Sequence, residues 1–117
     1  MIIRADTKDF TFHSAATSAA DGAAFEVGTF KTLTVDIDGT VTSATVEFKY
    51  KGANGVYKSL KGIKLSDWTT ATSTAITTSA AETWQFDIAG LKTVIMDLSA
   101  ITPGAGGSIT VKGTAVT

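Results

Sequence analysis

The side chains that most often carry enzyme chemistry are scarce in this sequence. His13 is the single histidine, and cysteine is absent. A hydrolase triad or a histidine-based metal site needs partner groups around the imidazole, and no recognisable carboxylate partner or serine elbow accompanies His13. We therefore predict that His13 is a surface or strand-end residue without a catalytic role.

The carboxylates form no convincing reactive set. Asp36, Asp38 and Gly39 echo the start of a calcium loop, but the later ligands, including the closing glutamate, are missing. Asp36 is matched by Asp97 in an internal repeat, which favours a structural role at a strand end. A pair for glycoside cleavage could be sought among Glu26, Glu47, Glu82 and Asp87, but their spacing singles out no pair. We predict no enzyme activity, no metal and no cofactor.

Aromatic residues are the better candidates for a binding role. Trp84 shares strand parity with Phe86 and Ile88, which predicts a core position. Trp68 lies in an irregular segment, where it is either a plug beneath a loop or an exposed anchor for a sugar ring or a protein surface. Trp68 and Tyr57 are the candidate interaction residues in the middle of the chain.

Composition narrows the class of partner. The 117 residues carry a formal charge of -1, with 44% hydrophobic and 18% charged residues, and they suffice for one domain over residues 1–117. Nucleic-acid binding needs clustered basic residues, and the lysines between positions 49 and 64 are interpreted as solvated strand and loop residues. No apolar run approaches a membrane span, and no export signal is recognised, so we expect synthesis in the cytoplasm and no membrane partner.

Alternation with a period of two predicts strands throughout the chain. The predicted strands are residues 10–12, 24–27, 32–37, 44–50, 56–60, 83–88, 93–98 and 108–112. Asp38-Gly39 and the turn over residues 52–55 have the composition of tight hairpin turns, so residues 32–60 are predicted to form a three-stranded meander. Residues 14–22 are interpreted as a loop, with a short helix as the alternative.

An internal repeat relates the two halves of the chain. Residues 25–37 align without a gap onto residues 86–98, and residues 45–49 align with residues 108–112. The repeat units span residues 23–60 and 83–116, after an N-terminal arm over residues 1–9. Neither half could bury its apolar face alone, which predicts an all-β, two-sheet antiparallel sandwich of about eight strands, jelly-roll or Ig-like. Phe30 and Leu91 are predicted to plug one end, with Lys31 and Lys92 turned outward.

These segments also carry a family resemblance. The chain resembles small β-sandwich proteins of tailed bacteriophages and prophages over roughly residues 23–116. The segments that carry the resemblance are residues 25–35, 44–48, 84–88, 91–94 and 107–113. The stretch from Gly55 to Leu65 departs from that pattern, and Tyr57 takes the place where a tryptophan is expected. The resemblance implies a virion structural protein of the head-decoration or head-fibre type, with no family catalytic residues to carry over.

The hypothesis that follows is a capsid decoration or cement protein on the phage particle surface. It would bind the major capsid protein or other virion proteins through strand edges, loops and the apolar arm Met1, Ile2 and Ile3, with a homotrimer as one arrangement. A tail or fibre-associated module is an alternative. A carbohydrate-binding module that uses Trp68 and Tyr57 is the alternative from another class.

Overall fold

The computed structural model describes residues 6–78 and 81–117, and within them the chain forms eleven strands. They are β1 (Thr7–Ala16), β2 (Phe25–Glu26), β3 (Thr32–Gly39), β4 (Ser43–Lys51), β5 (Tyr57–Ser59), β6 (Gly62–Lys64), β7 (Thr70–Ala71), β8 (Ser73–Thr77), β9 (Ala81–Asp87), β10 (Thr93–Thr102) and β11 (Ile109–Val116). Residues 7–9, which were expected in an N-terminal arm, belong to β1. No helix in the described part of the chain is long and apolar enough to cross a membrane.

The strands form two antiparallel sheets that pack as a sandwich. Sheet A has six strands in the order β1-β11-β3-β9-β6-β7, and sheet B has β2-β10-β4-β5, with β8 also paired to β4. The predicted fold class is therefore confirmed. The strand count exceeds eight because β6, β7 and β8 form in the lysine-bearing and threonine-rich middle, where Thr74 and Ile76 alternate with exposed neighbours.

The predicted meander over residues 32–60 is wrong at its first turn. β3 pairs with β11 and β9 in sheet A, whereas β4 pairs with β10, β5 and β8 in sheet B. The chain crosses between sheets at residues 40–42, and Val41 is fully buried there. The hairpin that Asp38-Gly39 suggests does not form. Instead, Val41 is buried, and the apolar sides of β3 and β4 face each other across the core. The β4–β5 hairpin is confirmed, with Lys51 opposite Tyr57.

The two repeat units pair in matching register and exchange sheets. β2, β3 and β4 alternate between sheets B, A and B, while β9, β10 and β11 alternate between A, B and A. Phe25 lies opposite Val94, and the equivalent Phe86 lies opposite Leu33. The corner turns also match, since Val27 N donates to Lys92 O at 2.9 Å and Ile88 N donates to Lys31 O at 2.9 Å. An approximate two-fold relation therefore links the two sheets.

The third strands of the two units are β4 and β11. In the structure they match each other with an offset of two residues from the sequence alignment. Thr93 lies opposite Lys51, and its equivalent Thr32 lies opposite Val116, so Lys51 corresponds to Val116. The aligned residues 45–49 therefore match 110–114 rather than 108–112. A shift of two keeps every side chain on the same face of its sheet, so the alternation could not reveal it.

Aromatic residues form two clusters in the core. The Phe48 ring lies 5.0 Å from Trp84 and 4.8 Å from Phe86 between ring centroids, and Trp84 is buried as predicted. Phe10, Phe12, Phe25 and Phe30 form a second cluster, with centroid separations of 4.9 to 5.8 Å. Phe30 and Leu91 are partly buried against the core, in keeping with their predicted place at one end of the sandwich.

Candidate functional site

His13 has a structural position between the sheets. Its Nε2 lies 2.6 Å from the Met96 carbonyl oxygen on β10, and the side chain is buried, so the prediction of a surface residue is wrong. A hydrogen bond to a carbonyl requires the proton on Nε2. Gly22 adopts a φ of 75° above the ring, where a Cβ atom would lie 2.6 Å from the imidazole. The ring is thus enclosed between β1, β10 and the β1–β2 loop, because β2 is too short to cover β10 there.

The aspartates of the repeat lie in the middle of strands rather than at their ends. Asp36 Oδ1 accepts a hydrogen bond from Thr83 Oγ1 at 2.7 Å, and Asp97 Oδ2 accepts one from Lys49 Nζ at 2.8 Å. That bond to Asp97 raises the pKa of the Lys49 amine. Among residues 6–78 and 81–117, no three His, Cys, Asp or Glu side chains are grouped to hold a metal ion.

Glu82 contacts side chains of both sheets. Its Oε1 accepts hydrogen bonds from Thr74 Oγ1 at 2.6 Å and from Trp84 Nε1 at 2.9 Å, and its Oε2 lies 3.4 Å from Lys64 Nζ. Thr74 belongs to β8 of sheet B, and the other partners belong to β9 and β6 of sheet A. The carboxylate therefore has a structural use. Glu26 and Glu47 lie on other strands, β2 and β4.

Trp68 is exposed and is not a plug beneath a loop. Its side chain is 72% exposed in the loop between β6 and β7, with a backbone φ of 63°. A bulky residue in the left-handed region is strained, and such strain is typical of functional positions. Trp68 N donates to Lys64 O at 2.8 Å, and Thr69 N donates to Asp67 Oδ1 at 3.0 Å, so the loop is held in one shape.

Tyr57, the aromatic residue predicted to act with Trp68, lies elsewhere in the fold. Tyr57 lies on β5 of sheet B, half-buried, with the Lys51 amine 4.4 Å from its ring centroid. Trp68 lies beyond β6 of sheet A, so the two aromatic residues belong to different sheets. Met1, Ile2 and Ile3 lie outside the described residues.

The outer face of sheet A is a broad surface that the sequence did not single out. We call it the threonine face, because the outward positions of β1, β11, β3 and β9 carry Thr7, Thr11, Thr32, Thr34, Thr83, Thr110 and Thr114. The same positions hold four aspartates, at 9, 36, 38 and 87, and one lysine, at 112, for a formal charge of -3. The register of three strand pairs was needed to assemble it.

A shallow groove of about 340 Å³ crosses this face. Asp9 and Asp36 lie along it with Lys112 between their strands, and its remaining lining is Phe10, Thr11, Gly113 and Thr114. Thr114 Oγ1 donates to Asp9 Oδ1 at 2.8 Å, which holds that carboxylate in place. The groove therefore presents two positioned carboxylates to solvent.

A smaller pocket of about 190 Å³ lies at the turn between β4 and β5. Tyr50, Val56 and Lys58 line it together with the turn residues Gly52, Ala53 and Asn54. Val56 is 60% exposed although it is apolar. The sequence predicted the turn. It did not predict the pocket, because a single valine after a turn does not indicate one.

Known proteins share this architecture. The sequence matches the XepA family over residues 6–115. This chain belongs to the XepA family. XepA of the phage-like element PBSX of Bacillus subtilis strain 168 is 44% identical over 110 residues, which cover 94% of this chain and 37% of XepA. YomS of the SPbeta prophage in the same strain is 41% identical over 111 residues, which cover 95% of this chain and 88% of YomS.

Solved structures of two members of the XepA family superpose on the whole chain. The crystal structure of YomS gives a TM-score of 0.89, with all of this chain and 98% of YomS covered. The crystal structure of XepA, named there as an exported PBSX protein, gives 0.90, with all of this chain and 40% of XepA covered. This chain therefore spans less than half of XepA and nearly all of YomS. The expected kinship with phage and prophage proteins is confirmed.

Proposed function

We propose that this chain is a non-enzymatic structural protein of a phage particle that decorates the assembled head by binding the major capsid protein. Its membership of a prophage-derived family and its rigid two-sheet architecture support this assignment. A partner that recognises only the assembled shell would stabilise the shell by mass action. The decoration protein would then be found on the particle surface.

The threonine face is the observation that carries the proposal. Threonine side chains are short and β-branched, so they lose less rotamer entropy on docking than long charged side chains do. A flat sheet of such residues can pack closely against a protein surface. Its formal charge of -3 selects a partner surface that carries lysine or arginine.

The groove on this face supplies the specific contact. Basic side chains from the capsid surface would approach Asp9 and Asp36 on either side of Lys112 and form charge-assisted hydrogen bonds with their carboxylates. The threonines around the groove would exclude water from the contact. Asp36 keeps one carboxylate oxygen bonded to Thr83, which leaves the other for the partner.

Co-sedimentation with undecorated heads tests the proposal. The wild-type chain should pellet with heads, and binding should weaken as the salt concentration rises. Asp9→Asn with Asp36→Asn keeps the amide oxygens as acceptors but removes two charges, so it should bind about tenfold or more weakly. Glu26→Gln, at an exposed position of β2 in sheet B, is the matched control and should bind as wild type. Binding to tails but not to heads would reassign the protein to the tail, and binding to neither would refute the proposal.

The N-terminal arm is tested in the same assay. If Met1, Ile2 and Ile3 contribute apolar contacts to the shell, a chain that begins at Ala5 should bind heads more weakly than the full chain. Equal binding of the two chains would reject the arm and leave the threonine face unaffected.

Carbohydrate binding is a second candidate, favoured by the exposure of Trp68. An exposed, preorganised indole is a platform on which sugar rings stack, and XepA is named as an exported protein. A glycan array should then show binding that Trp68→Ala abolishes. Ile63→Ala, a partly exposed residue on the same hairpin, should leave it unchanged. An array without wild-type signal would remove this candidate.

A further inference from the structure

We propose that the open edge of β1, from Thr7 to Thr11, binds an extended segment of another protein, which adds to sheet A as an additional strand. The side chains of this edge select a segment with a basic residue at its centre. The test uses the purified chain and a peptide, so its result does not depend on head binding.

β1 is the longest strand at an edge of either sheet. It has ten residues and, in the described part of the chain, pairs with β11 alone. The other strands at the sheet edges, β2, β5, β7 and β8, have five residues or fewer. Short edge strands prevent unwanted strand pairing, and β1 lacks that protection. An added strand would therefore find its longest backbone partner at β1.

Hydrogen bonds alternate along β1 and leave one set of backbone groups at the edge. Thr117 N donates to Asp6 O at 3.0 Å, so Asp6 faces β11, and every second residue after it does the same. The N–H and C=O groups of Thr7, Asp9 and Thr11 therefore point away from β11. Among residues 6–78 and 81–117, no backbone group pairs with them there. All three residues are exposed.

The β1–β2 loop covers β1 beyond this stretch. Ala23 N donates to Phe12 O at 3.0 Å, and a Cβ atom on Gly22 would lie 2.7 Å from the same carbonyl oxygen. The ladder with β11 also shifts register between Thr11 and His13. The open edge is therefore limited to residues 7–11, where β11 holds the strand from its other side.

Asp9 determines the charge of the partner. Its side chain lies on the threonine face, which has a formal charge of -3, and Thr114 Oγ1 donates to its Oδ1 at 2.8 Å. Residues directly opposite each other on neighbouring strands project from the same face of a sheet. A lysine or arginine opposite Asp9 would therefore form a charge-assisted hydrogen bond with the carboxylate. Opposite Thr7 and Thr11, β-branched side chains fit the face best.

The alternate residues of the edge, Lys8 and Phe10, lie on the other face of β1. The Phe10 ring is partly buried, with its centroid 4.9 Å from that of Phe12 and 5.2 Å from that of Phe25. An apolar side chain opposite Phe10 would cover its exposed part, and a carboxylate opposite Lys8 would pair with the amine. An antiparallel segment should therefore read, from its N-terminus, β-branched, apolar, basic, acidic and β-branched.

A second copy of this chain fits the edge poorly. Two copies related by a two-fold axis would pair antiparallel, and the register that uses all of residues 7–11 places the two Asp9 side chains opposite each other. Like charges in directly opposite positions are destabilising. A segment with a basic centre replaces that repulsion with attraction, so the charge of the edge favours a different protein as the occupant.

Amide hydrogen exchange measured by nuclear magnetic resonance tests strand addition on the full chain. The probe is a capped peptide with the sequence Ser-Thr-Val-Lys-Glu-Thr-Ser. In the free chain, β11 should protect the amides of Lys8 and Phe10, whereas those of Thr7, Asp9 and Thr11 should exchange rapidly. Peptide at about ten times its dissociation constant should slow these three amides about tenfold, because only the free chain exchanges. No slowing at the three amides would overturn the proposal.

N-methylated peptides supply the matched control. The backbone nitrogen of the peptide's lysine, opposite Asp9, would donate to β1, so its methylation should weaken binding about tenfold or more. The backbone nitrogen of the valine, opposite Phe10, would point to solvent, so its methylation should leave binding unchanged. Equal effects of the two methyl groups would show that the peptide does not add as this strand.

Exchanging the charge at the centre tests the selection of a basic segment. Asp9→Lys should bind the peptide about tenfold more weakly and should prefer a peptide with glutamate in place of the lysine. Glu26→Lys, at an exposed position of β2 in sheet B, should bind both peptides as the wild type does. Circular dichroism would confirm that both variants are folded. The same peptide preference in Asp9→Lys and wild type would refute the role of Asp9.

Discussion

Asp36 and Asp97 occupy equivalent positions in the two repeat units, yet Asp36 is exposed and Asp97 is 9% exposed. Asp36 lies opposite Lys112, whereas Asp97 lies opposite Glu47, and like charges opposite each other are unfavourable. Lys49 resolves that conflict, with its Nζ 2.8 Å from Asp97 and 3.9 Å from Glu47. The same backbone arrangement therefore carries an exposed acidic face on sheet A and a neutralised, ion-paired face on sheet B.

The inward positions of the two units differ as well. Phe48 on β4 corresponds to Gly113 on β11, because Lys51 corresponds to Val116. Phe48 fills the centre of the sandwich, while Gly113 leaves room for Leu33 and Phe12 from neighbouring strands. At this level of the core, the first unit therefore contributes a large ring from β4, and the second unit leaves space at the equivalent position of β11.

The largest expected effect comes from removing that bulk. Phe48→Ala should lower the free energy of unfolding by about 3 to 5 kcal/mol, because it deletes a fully buried ring that contacts Trp84 and Phe86. Urea unfolding followed by circular dichroism would measure the loss. A loss below about 1 kcal/mol would show that neighbouring side chains collapse into the space.

The converse change should destabilise the matching position. At Gly113, an added Cβ atom would lie 2.9 Å from Leu33 Cδ1 and 3.0 Å from a Phe12 ring carbon, so Gly113→Ala should cost about 1 to 3 kcal/mol. Gly39→Ala is the control, since its nearest neighbour would be 3.4 Å away. Equal stability of the two variants would contradict the packing difference between the units.

The aspartates should differ in the same sense. Asp97→Ala removes the acceptor of the Lys49 amine from a buried position and should cost about 1 kcal/mol. Asp36→Ala removes an exposed carboxylate and should change stability by less than about 0.5 kcal/mol. Parallel urea titrations would compare them, and a larger loss at Asp36 would reverse the comparison.

The pH dependence of stability should reveal the same ion pair. The hydrogen bond from Lys49 to Asp97 raises the pKa of the amine in the folded chain, so the contribution of the pair is complete below the ordinary lysine pKa of about 10.4. It is lost as the pH rises through the raised value. The difference in unfolding free energy between wild type and Asp97→Asn should therefore shrink as the pH rises from the ordinary lysine pKa through the raised one. The difference for Asp36→Asn should stay constant, and a parallel decline there would assign the effect to general alkaline unfolding.

A last effect is expected between two variants at Trp68. Glycine accepts the φ of 63° without strain, so Trp68→Gly should be more stable than Trp68→Ala by about 1 kcal/mol. Thermal unfolding of the two variants isolates the backbone term, since both lack the indole. If Trp68→Gly were the less stable, the left-handed conformation would not be the source of strain.

Much of the architecture was readable from local patterns. Alternation identified the strands around Leu33, Val46 and Phe86, and the parity of Trp84 placed it in the core, as observed. The gapless match of residues 25–37 with 86–98 is reproduced in the strand register. These features depend on neighbours in the sequence, which is why a single chain reveals them.

The pairing of strands was not readable in the same way. Asp38-Gly39 has hairpin composition, but the buried Val41 beside it and the partners of β3 show a crossover between sheets. His13 is buried because β10 offers an uncovered carbonyl, which the sequence around His13 does not indicate. The groove depends on Asp9 and Asp36, which β11 brings together from distant positions.

The sequence by itself determined most of the strands, their inward and outward sides and the duplication of the plan, because alternation and turn residues act over a few neighbouring positions. Only the tertiary structure decided which strands are neighbours, and hence which threonines and aspartates share a face and where Trp68 and the Val56 pocket lie. Several distant segments have similar alternation, so each strand has more than one possible pairing partner. The pairing is settled by how both apolar faces are buried at once, and that depends on the whole chain.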